Sequence, residues 1–131
     1  MSAIMNGIAL YGGFIPYAAT FLTFSDYSRN ALRMSSLMKQ RVITSSRMTR
    51  SALVKRPDAS VRRARAQSAP HPRHACLRPA DTVETIIAWA SAIERRNGPS
   101  CLVFTRQNVP FLDRDEVDAT RSPAALMLPP K

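Results

Sequence analysis

The spacing of apolar side chains predicts a first structured region that ends near residue 43. Residues 1–24 carry no charged side chain and are typical of a short helix followed by a loop around Gly12 to Pro16. Ser25 or Asp26 is placed to cap a second helix by accepting free amide hydrogens of its first turn. Apolar residues at i, i+4, i+7 and i+11 predict the buried face of that helix: Tyr27, Ala31, Met34 and Met38.

A second helix and strand are predicted beyond residue 78. Asp81 and Glu84 form a pair resembling a capping box, which marks a helix start. Apolar residues then recur at helical spacing: Val83, Ile86, Ile87, Ala90 and Ile93. The Asn-Gly-Pro turn at 97–99 ends this helix, and Cys101-Leu102-Val103-Phe104 is typical of a buried parallel strand. Helix, turn and strand together make half of an α/β crossover unit.

The stretch between these two regions has neither the helical nor the strand spacing of apolar residues. Val42-Ile43 begins like a buried strand, but from Thr44 onward no spacing of 2 or 3.6 is sustained, and no aromatic residue occurs until Trp89. Prolines at 57, 70, 72 and 79 interrupt any regular element. Because such a segment cannot bury enough apolar surface to offset its ordering entropy, we predict that residues 44–77 are disordered.

The net charge lies mostly in that middle stretch. The chain carries a formal charge of +10, and residues 44–79 hold nine of its nineteen Lys and Arg but only one acid, Asp58. A basic nucleic-acid-binding or interaction protein using Arg47–Arg65 is therefore an alternative function. Since no aromatic side chains are interleaved with these arginines and no recognised nucleic-acid-binding motif is present, we predict no specific nucleic-acid partner.

This charge should nevertheless produce weak binding to polyanions. Phosphate contacts release counterions, so we expect affinity without sequence preference that falls steeply as salt is raised. Filter binding of the full chain to single-stranded DNA of two unrelated sequences across a salt series measures this. Arg106 lies outside the basic stretch, so an Arg106→Ala variant should bind equally. A sequence-specific complex at physiological salt would favour a nucleic-acid function instead.

The sequence does not favour a membrane segment or a metal site. The uncharged first 24 residues could span a bilayer by length alone, but Asn6, the Gly12-Gly13 pair and Pro16 make a poor apolar helix, and no basic segment precedes it. We therefore predict no membrane association and a cytoplasmic location. Cys76 and Cys101 lack metal-ligand or CxxC spacing, which favours two unrelated reduced thiols, with a disulfide left open.

Two blocks of the chain resemble one enzyme family. The run from Asn6 to Tyr17, which contains Gly-Gly-Phe-Ile-Pro-Tyr, continues through residues 20–24 and 26–34 to Lys39-Gln40-Arg41-Val42-Ile43. It resembles the cofactor-binding stretch of transketolase, in the pyrimidine-binding domain of that thiamine pyrophosphate enzyme. The resemblance covers residues 1–43 and resumes over residues 78–117, with residues 118–131 as a tail. It implies an α/β fold, an incomplete parallel-sheet pyrimidine-binding domain with a disordered centre.

The resemblance also implies a chemistry and a set of site residues. Transketolases use thiamine pyrophosphate and Mg²⁺ to transfer a two-carbon ketol unit from a ketose phosphate to an aldose phosphate, in the pentose phosphate pathway. Tyr11, Phe14 and Tyr17 would surround the aminopyrimidine ring, and Arg106 would bind the substrate phosphate. Sugar phosphates are the implied substrates. A homodimer, or pairing with transketolase subunits, is the implied assembly.

Departures from the family pattern predict that the chain is inactive alone. The family's catalytic glutamate lies just upstream of the point that matches Met1, and the domain that binds the diphosphate and metal ion is not matched. After Val42-Ile43 the family has a loop whose histidines and aspartate meet the sugar, but Met48-Thr49-Arg50 stands there. Codons for His-Asp-Ser read one base late can give Met-Thr-Arg, so we interpret residues 44–77 as out of frame. His71 and His74 are accordingly expected not to be ligands, and no catalytic or metal-binding residue is predicted.

Overall fold

A computed structural model describes residues 1–47, 73–105 and 108. Its elements in chain order are α1 (Ser2–Tyr11), β1 (Tyr17–Phe21), a 3-10 turn (Leu22–Phe24), α2 (Ser25–Leu37), β2 (Ile43–Arg47), β3 (Ala75–Leu77), α3 (Thr82–Glu94) and β4 (Ser100–Phe104). The four strands form one sheet in the order β1-β2-β4-β3, and every neighbouring pair is parallel. The predicted α/β class with a parallel sheet is confirmed. Over the described ranges, no helix is long and apolar enough to cross a bilayer.

The two crossover units place helices on opposite faces of the sheet. The connection β1-α2-β2 and the connection β3-α3-β4 advance in opposite directions across the sheet, and right-handed crossovers then require opposite faces. Side chains of β4 alternate between two core clusters, one on each face of the sheet. Cys101 and Val103 belong to the first, with Leu22 and Cys76. Leu102 belongs to the second, on the face covered by α3, with Ile43, Leu77, Ala88 and Ala92. The strands all remain parallel, but the order in which the chain visits them runs inward from both ends of the sheet and meets between β2 and β4.

Helix α2 buries a different face from the predicted one. Tyr27 and Met34 are exposed, and the buried positions of the helix are Ser25, Leu32, Ser35 and Ser36. The Ser35 hydroxyl donates to Asn6 Oδ1 at 2.6 Å, and Asn6 Nδ2 donates to the Ala31 carbonyl at 2.9 Å. Small hydroxyl side chains allow α1 and α2 to approach closely and satisfy the buried Asn6, which an apolar periodicity does not reveal.

Neither predicted N-cap residue caps α2. Phe24 is the N-cap without a side-chain hydrogen bond, and Ser25 is the first helical residue. The Ser25 hydroxyl instead donates to the carbonyl of Leu22, and Asp26 forms an exposed ion pair with Arg29 at 3.2 Å. The preceding 3-10 turn supplies the local backbone pairing, so a capping side chain is not needed there.

Helix α3 begins as predicted but also buries another face. Asp81 is the N-cap and accepts from the Glu84 amide at 2.8 Å, while Glu84 Oε2 accepts from the Ala80 amide at 2.7 Å. Its buried residues are the alanines Ala88 and Ala92, whereas Ile86 is exposed. Small residues let the helix lie close to the sheet, and this packing leaves Ile86 and Ile93 exposed and Ile87 half-buried.

The middle stretch is ordered at both of its ends. Strand β2 continues through Thr44 to Arg47, and residues 75–77 form the edge strand β3, so the prediction of disorder from Thr44 and through residue 77 is wrong there. Backbone hydrogen bonds to β1 and β4 support these residues whatever their side chains. Residues 48–72, the remainder of the predicted disordered segment, lie outside the described residues, as does the predicted tail at 118–131.

Candidate functional site

The carboxyl edge of the sheet, where the parallel strands end, is the candidate binding site. In open α/β sheets, ligands bind at the carboxyl ends of the strands, at the point where the strand order reverses. In this sheet that point lies between β2 and β4. The last residues of three neighbouring strands lie in register at this edge, with Phe21 paired to Arg47 and Arg47 paired to Phe104. Because paired residues point to the same face of a sheet, Arg47 lies between two phenylalanine positions on that face.

Three exposed aromatic residues extend this edge beyond β1. Phe21 ends the strand, Phe24 ends the 3-10 turn and Tyr27 lies in the first turn of α2. Ring centroids are 6.2 Å apart for Phe21 and Phe24 and 6.4 Å apart for Phe24 and Tyr27. Their exposed fractions are 44%, 50% and 88%. We call Phe21, Phe24 and Tyr27 the carboxyl-edge aromatic cluster.

This cluster can receive a flat aromatic ligand. The interplanar angles of 59° and 38° leave ring faces and edges open for further stacking. Contiguous exposed apolar surface is uncommon in soluble proteins and marks binding sites. An aromatic contact contributes about 0.5–1.5 kcal/mol beyond the area it buries, so a ligand ring that touches two of these residues gains appreciable affinity.

The residues predicted to contact the cofactor lie at the other end of β1. Tyr11 is the last residue of α1, Phe14 lies in the following loop, and Tyr17 is the first residue of β1. All three side chains are exposed. The Tyr17 ring meets Trp89 edge to face at 6.0 Å and 84°, but within the described residues no ring contact joins Tyr11, Phe14 and Tyr17. Their assignment to the cofactor remains a prediction.

Arg106, predicted to bind the substrate phosphate, lies outside the described residues. It follows β4 by two positions in the sequence, and its role remains a prediction as well. Among the residues that the structure describes, no three His, Cys, Asp or Glu side chains are grouped to hold a metal ion.

A small cavity lies under the two amino-terminal helices. Its volume is about 140 Å³, and its lining combines hydroxyls of the sheet, Thr20, Thr44 and Ser46, with Ser28 and Leu32 of α2. Cavities that hold drug-sized ligands are usually about 300–1,000 Å³. The hydroxyl lining and the volume therefore suit a few water molecules rather than a cofactor.

The sequence contains a signal for the carboxyl-edge aromatic cluster that helical periodicity obscures. Phe21, Phe24 and Tyr27 recur at a spacing of three, as Tyr11, Phe14 and Tyr17 do. Periodicity alone places Tyr27 on the buried face of α2 and does not identify β1 as a strand. Only the position of β1 in the sheet distinguishes the two triplets, because it assigns one to the carboxyl edge and the other to the amino edge.

Comparison with known proteins gives consistent matches. Residues 1–111 match the family model described as transketolase, pyrimidine binding domain. The chain is 51% identical over 122 residues to transketolase 2 of Xanthobacter flavus, covering 88% of this chain and 17% of that protein. It is 48% identical over 117 residues to transketolase 1 of Pasteurella multocida, covering 87% and 17%. The chain therefore spans about a sixth of the length of these relatives.

Solved structures agree with the sequence matches. A transketolase variant from Pichia stipitis superposes with a TM-score of 0.74 at 34% identity, covering 92% of this chain and 18% of that one. The transketolase of Leishmania mexicana gives the same TM-score at 29% identity, with the same coverage. The likeness extends over most of the described sheet and helices, and in each case over a small part of the longer enzyme.

Proposed function

Because the chain belongs to the transketolase family, through its pyrimidine-binding domain, we propose that it forms the wall of a thiamine pyrophosphate site that faces the aminopyrimidine ring. The observation that carries this proposal is the carboxyl-edge aromatic cluster. It presents aromatic rings at the carboxyl end of β1, one strand away from the boundary between β2 and β4. An aminopyrimidine is a flat, polarised aromatic ring, so its chemistry fits such a surface.

Within this proposal, Phe21, Phe24 and Tyr27 hold the ring, and Phe24 is central because its ring contacts both others. We prefer these residues to Tyr11, Phe14 and Tyr17, whose rings lie toward the amino end of β1. Their side chains would orient the ring and exclude water from one of its faces. Bound thiamine pyrophosphate supplies the reactive carbon that carries a two-carbon ketol unit, and the protein contributes binding and orientation.

The diphosphate and its Mg²⁺ would be held elsewhere. The described residues offer no group of three metal-binding side chains, and the aromatic cluster carries no cation of its own. Arg47, in register between Phe21 and Phe104, is the nearest cation along this edge by sheet position. We propose that the chain contributes to ketol transfer between sugar phosphates only together with other transketolase subunits, or as one of two copies, and that this occurs in the cytoplasm.

A binding experiment with the full chain tests the cluster. In saturation-transfer NMR with thiamine pyrophosphate, we expect magnetisation to reach the aminopyrimidine protons more strongly than the thiazolium protons. Phe24→Ala should weaken binding about 2–10-fold, which is the loss of one aromatic contact. Phe24→Tyr should retain most of the affinity because the ring face remains.

Tyr11→Ala is the matched control. It also removes an exposed aromatic ring, but at the end of α1, and it should change the affinity less than about twofold. A larger effect of Tyr11→Ala than of Phe24→Ala would favour the amino-edge triplet instead. Equal transfer to all cofactor protons, unchanged in either variant, would contradict a ring-binding surface altogether.

A further inference from the structure

Parallel pairing of β3 with β4 brings the two cysteines of the chain together. Cys76 is the register partner of Cys101, so both side chains point to the same face of the sheet. Neighbouring strands lie about 4.8 Å apart, which falls within the Cα separation of about 4.4–6.8 Å that a disulfide bridges. The separation of 25 positions in the sequence concealed this arrangement, and the interpretation of two unrelated thiols is wrong.

The two thiols share a buried environment with a histidine. Both are free cysteines, with 2% of Cys76 and 1% of Cys101 exposed, and the Cys76 thiol interacts with the Cys101 sulfur. His74 is 7% exposed, so it shares the buried environment of the two sulfurs. Its imidazole interacts with the Cys101 sulfur.

The electrostatics of the pair differ between the two sulfurs. The hydrogen bond from the Cys76 thiol lowers the pKa of Cys101 well below its usual value, and the neighbouring His74 lowers it further, although burial acts in the opposite direction. The same hydrogen bond, together with burial, raises the pKa of Cys76. Of the two sulfurs, Cys101 therefore loses its proton more readily and is the better candidate for the attacking thiolate.

We propose that Cys76 and Cys101 form a reversible disulfide by exchange with small-molecule disulfides of the glutathione type. This assigns a redox modification site to the β3–β4 edge, on the face of the sheet opposite α3. It is independent of any cofactor site at the carboxyl edge, because neither cysteine belongs to the aromatic cluster.

The exchange balances in two steps. The Cys101 thiolate attacks one sulfur of the small disulfide, forming a mixed disulfide and releasing one thiolate. Cys76 then loses its proton to that released thiolate, and its sulfur attacks Sγ of Cys101 and expels the second thiolate. Two cysteine thiols are oxidised to one disulfide, and one disulfide is reduced to two thiols.

The edge position of β3 provides access to the buried sulfurs. This strand has three residues and, among the strands that the structure describes, pairs only with β4. Short edge strands open at a lower free energy than central strands, so a transient separation of β3 exposes both thiols without unfolding the rest of the sheet.

Equilibration of the full chain with glutathione buffers tests the proposal. After acid quenching, mass spectrometry should show loss of two hydrogen atoms. Trypsin should then release residues 74–95 linked to residues 97–106, since cleavage is blocked at Arg78 before Pro79. The equilibrium constant for internal disulfide formation should be at least about tenfold larger in native buffer than in concentrated guanidinium chloride, because the sheet holds the sulfurs together.

Single variants distinguish the two sulfurs. Cys76→Ser keeps a hydroxyl that can donate to the Cys101 sulfur and should still form a mixed glutathione disulfide, now at Cys101, whereas Cys101→Ser should form one more slowly at Cys76. Neither variant can form the internal link. Equal equilibrium constants in native and denaturing buffers would overturn the proposal, as would oxidation that yields only mixed disulfides or linked pairs of chains.

Discussion

Residues 1–131 made alone should show no detectable ketol transfer. We expect their turnover number to be at least about 10⁴-fold below that of a complete transketolase. The chain matches about a sixth of its relatives' length. The sequence after β2 has Met48-Thr49-Arg50 where the family resemblance implies groups that meet the sugar. General acid–base groups contribute about 10²–10⁴-fold each, so the loss of several reduces turnover below detection. Steady-state assays with a ketose phosphate, an aldose phosphate, saturating thiamine pyrophosphate and magnesium measure this.

The transketolase of Xanthobacter flavus serves as the positive control in the same assay. Turnover by the isolated chain that exceeds a no-protein blank and scales with chain concentration would contradict the prediction. Adding the isolated chain to a complete transketolase tests the proposed pairing separately, since an altered rate there requires an interaction between the two proteins.

Gly98→Ala should destabilise the fold by about 2–4 kcal/mol. Gly98 has φ of +149° in the turn between α3 and β4, a conformation that L side chains rarely adopt. A Cβ atom there would lie 2.6 Å from the backbone carbonyl oxygen of Arg73. That oxygen also accepts from the Arg95 guanidinium at 2.7 Å, so relief of the clash would disturb the start of β3. Urea denaturation followed by circular dichroism measures the loss.

Gly7→Ala is the matched control, with the opposite sign expected. Gly7 lies within α1, and outside its two chain neighbours and the adjacent helix backbone no atom lies within 4 Å of the point that an alanine Cβ would occupy. Alanine should therefore stabilise the chain by about 0.5–1 kcal/mol through its greater helix propensity. Equal effects of the two substitutions would show that the α3–β4 turn is not packed against Arg73 in solution.

Local sequence signals were reliable where one short segment carries the whole interaction. The α3 cap was predicted because Asp81 and Glu84 satisfy amide hydrogens within four residues of themselves. The strand at Cys101 was predicted because it is a continuous apolar run, and Ser100–Phe104 is buried through most of its length. The family resemblance was likewise contained in the order and spacing of residues.

Predictions failed where an element is stabilised by contacts with another element that is distant in sequence. Thr44–Arg47 is a strand although its side chains are polar, because β1 and β4 pair with its backbone from both sides. The buried faces of α2 and α3 consist mainly of small residues, since close approach to a neighbour favours serine and alanine. Hydrophobic periodicity indicates which side chains are removed from water. It carries no information about how closely the helix approaches the element that it packs against.

The amino-acid sequence by itself determined the family, the helix, turn and strand between Asp81 and Phe104, and the presence of aromatic triplets. The tertiary structure alone decided which triplet lies at the carboxyl edge, because strand order and direction place Phe21, Phe24 and Tyr27 there. It also decided that Cys76 and Cys101 are neighbours. Both outcomes depend on pairing between strands far apart in the chain, which is set by global packing and not by the residues on either side.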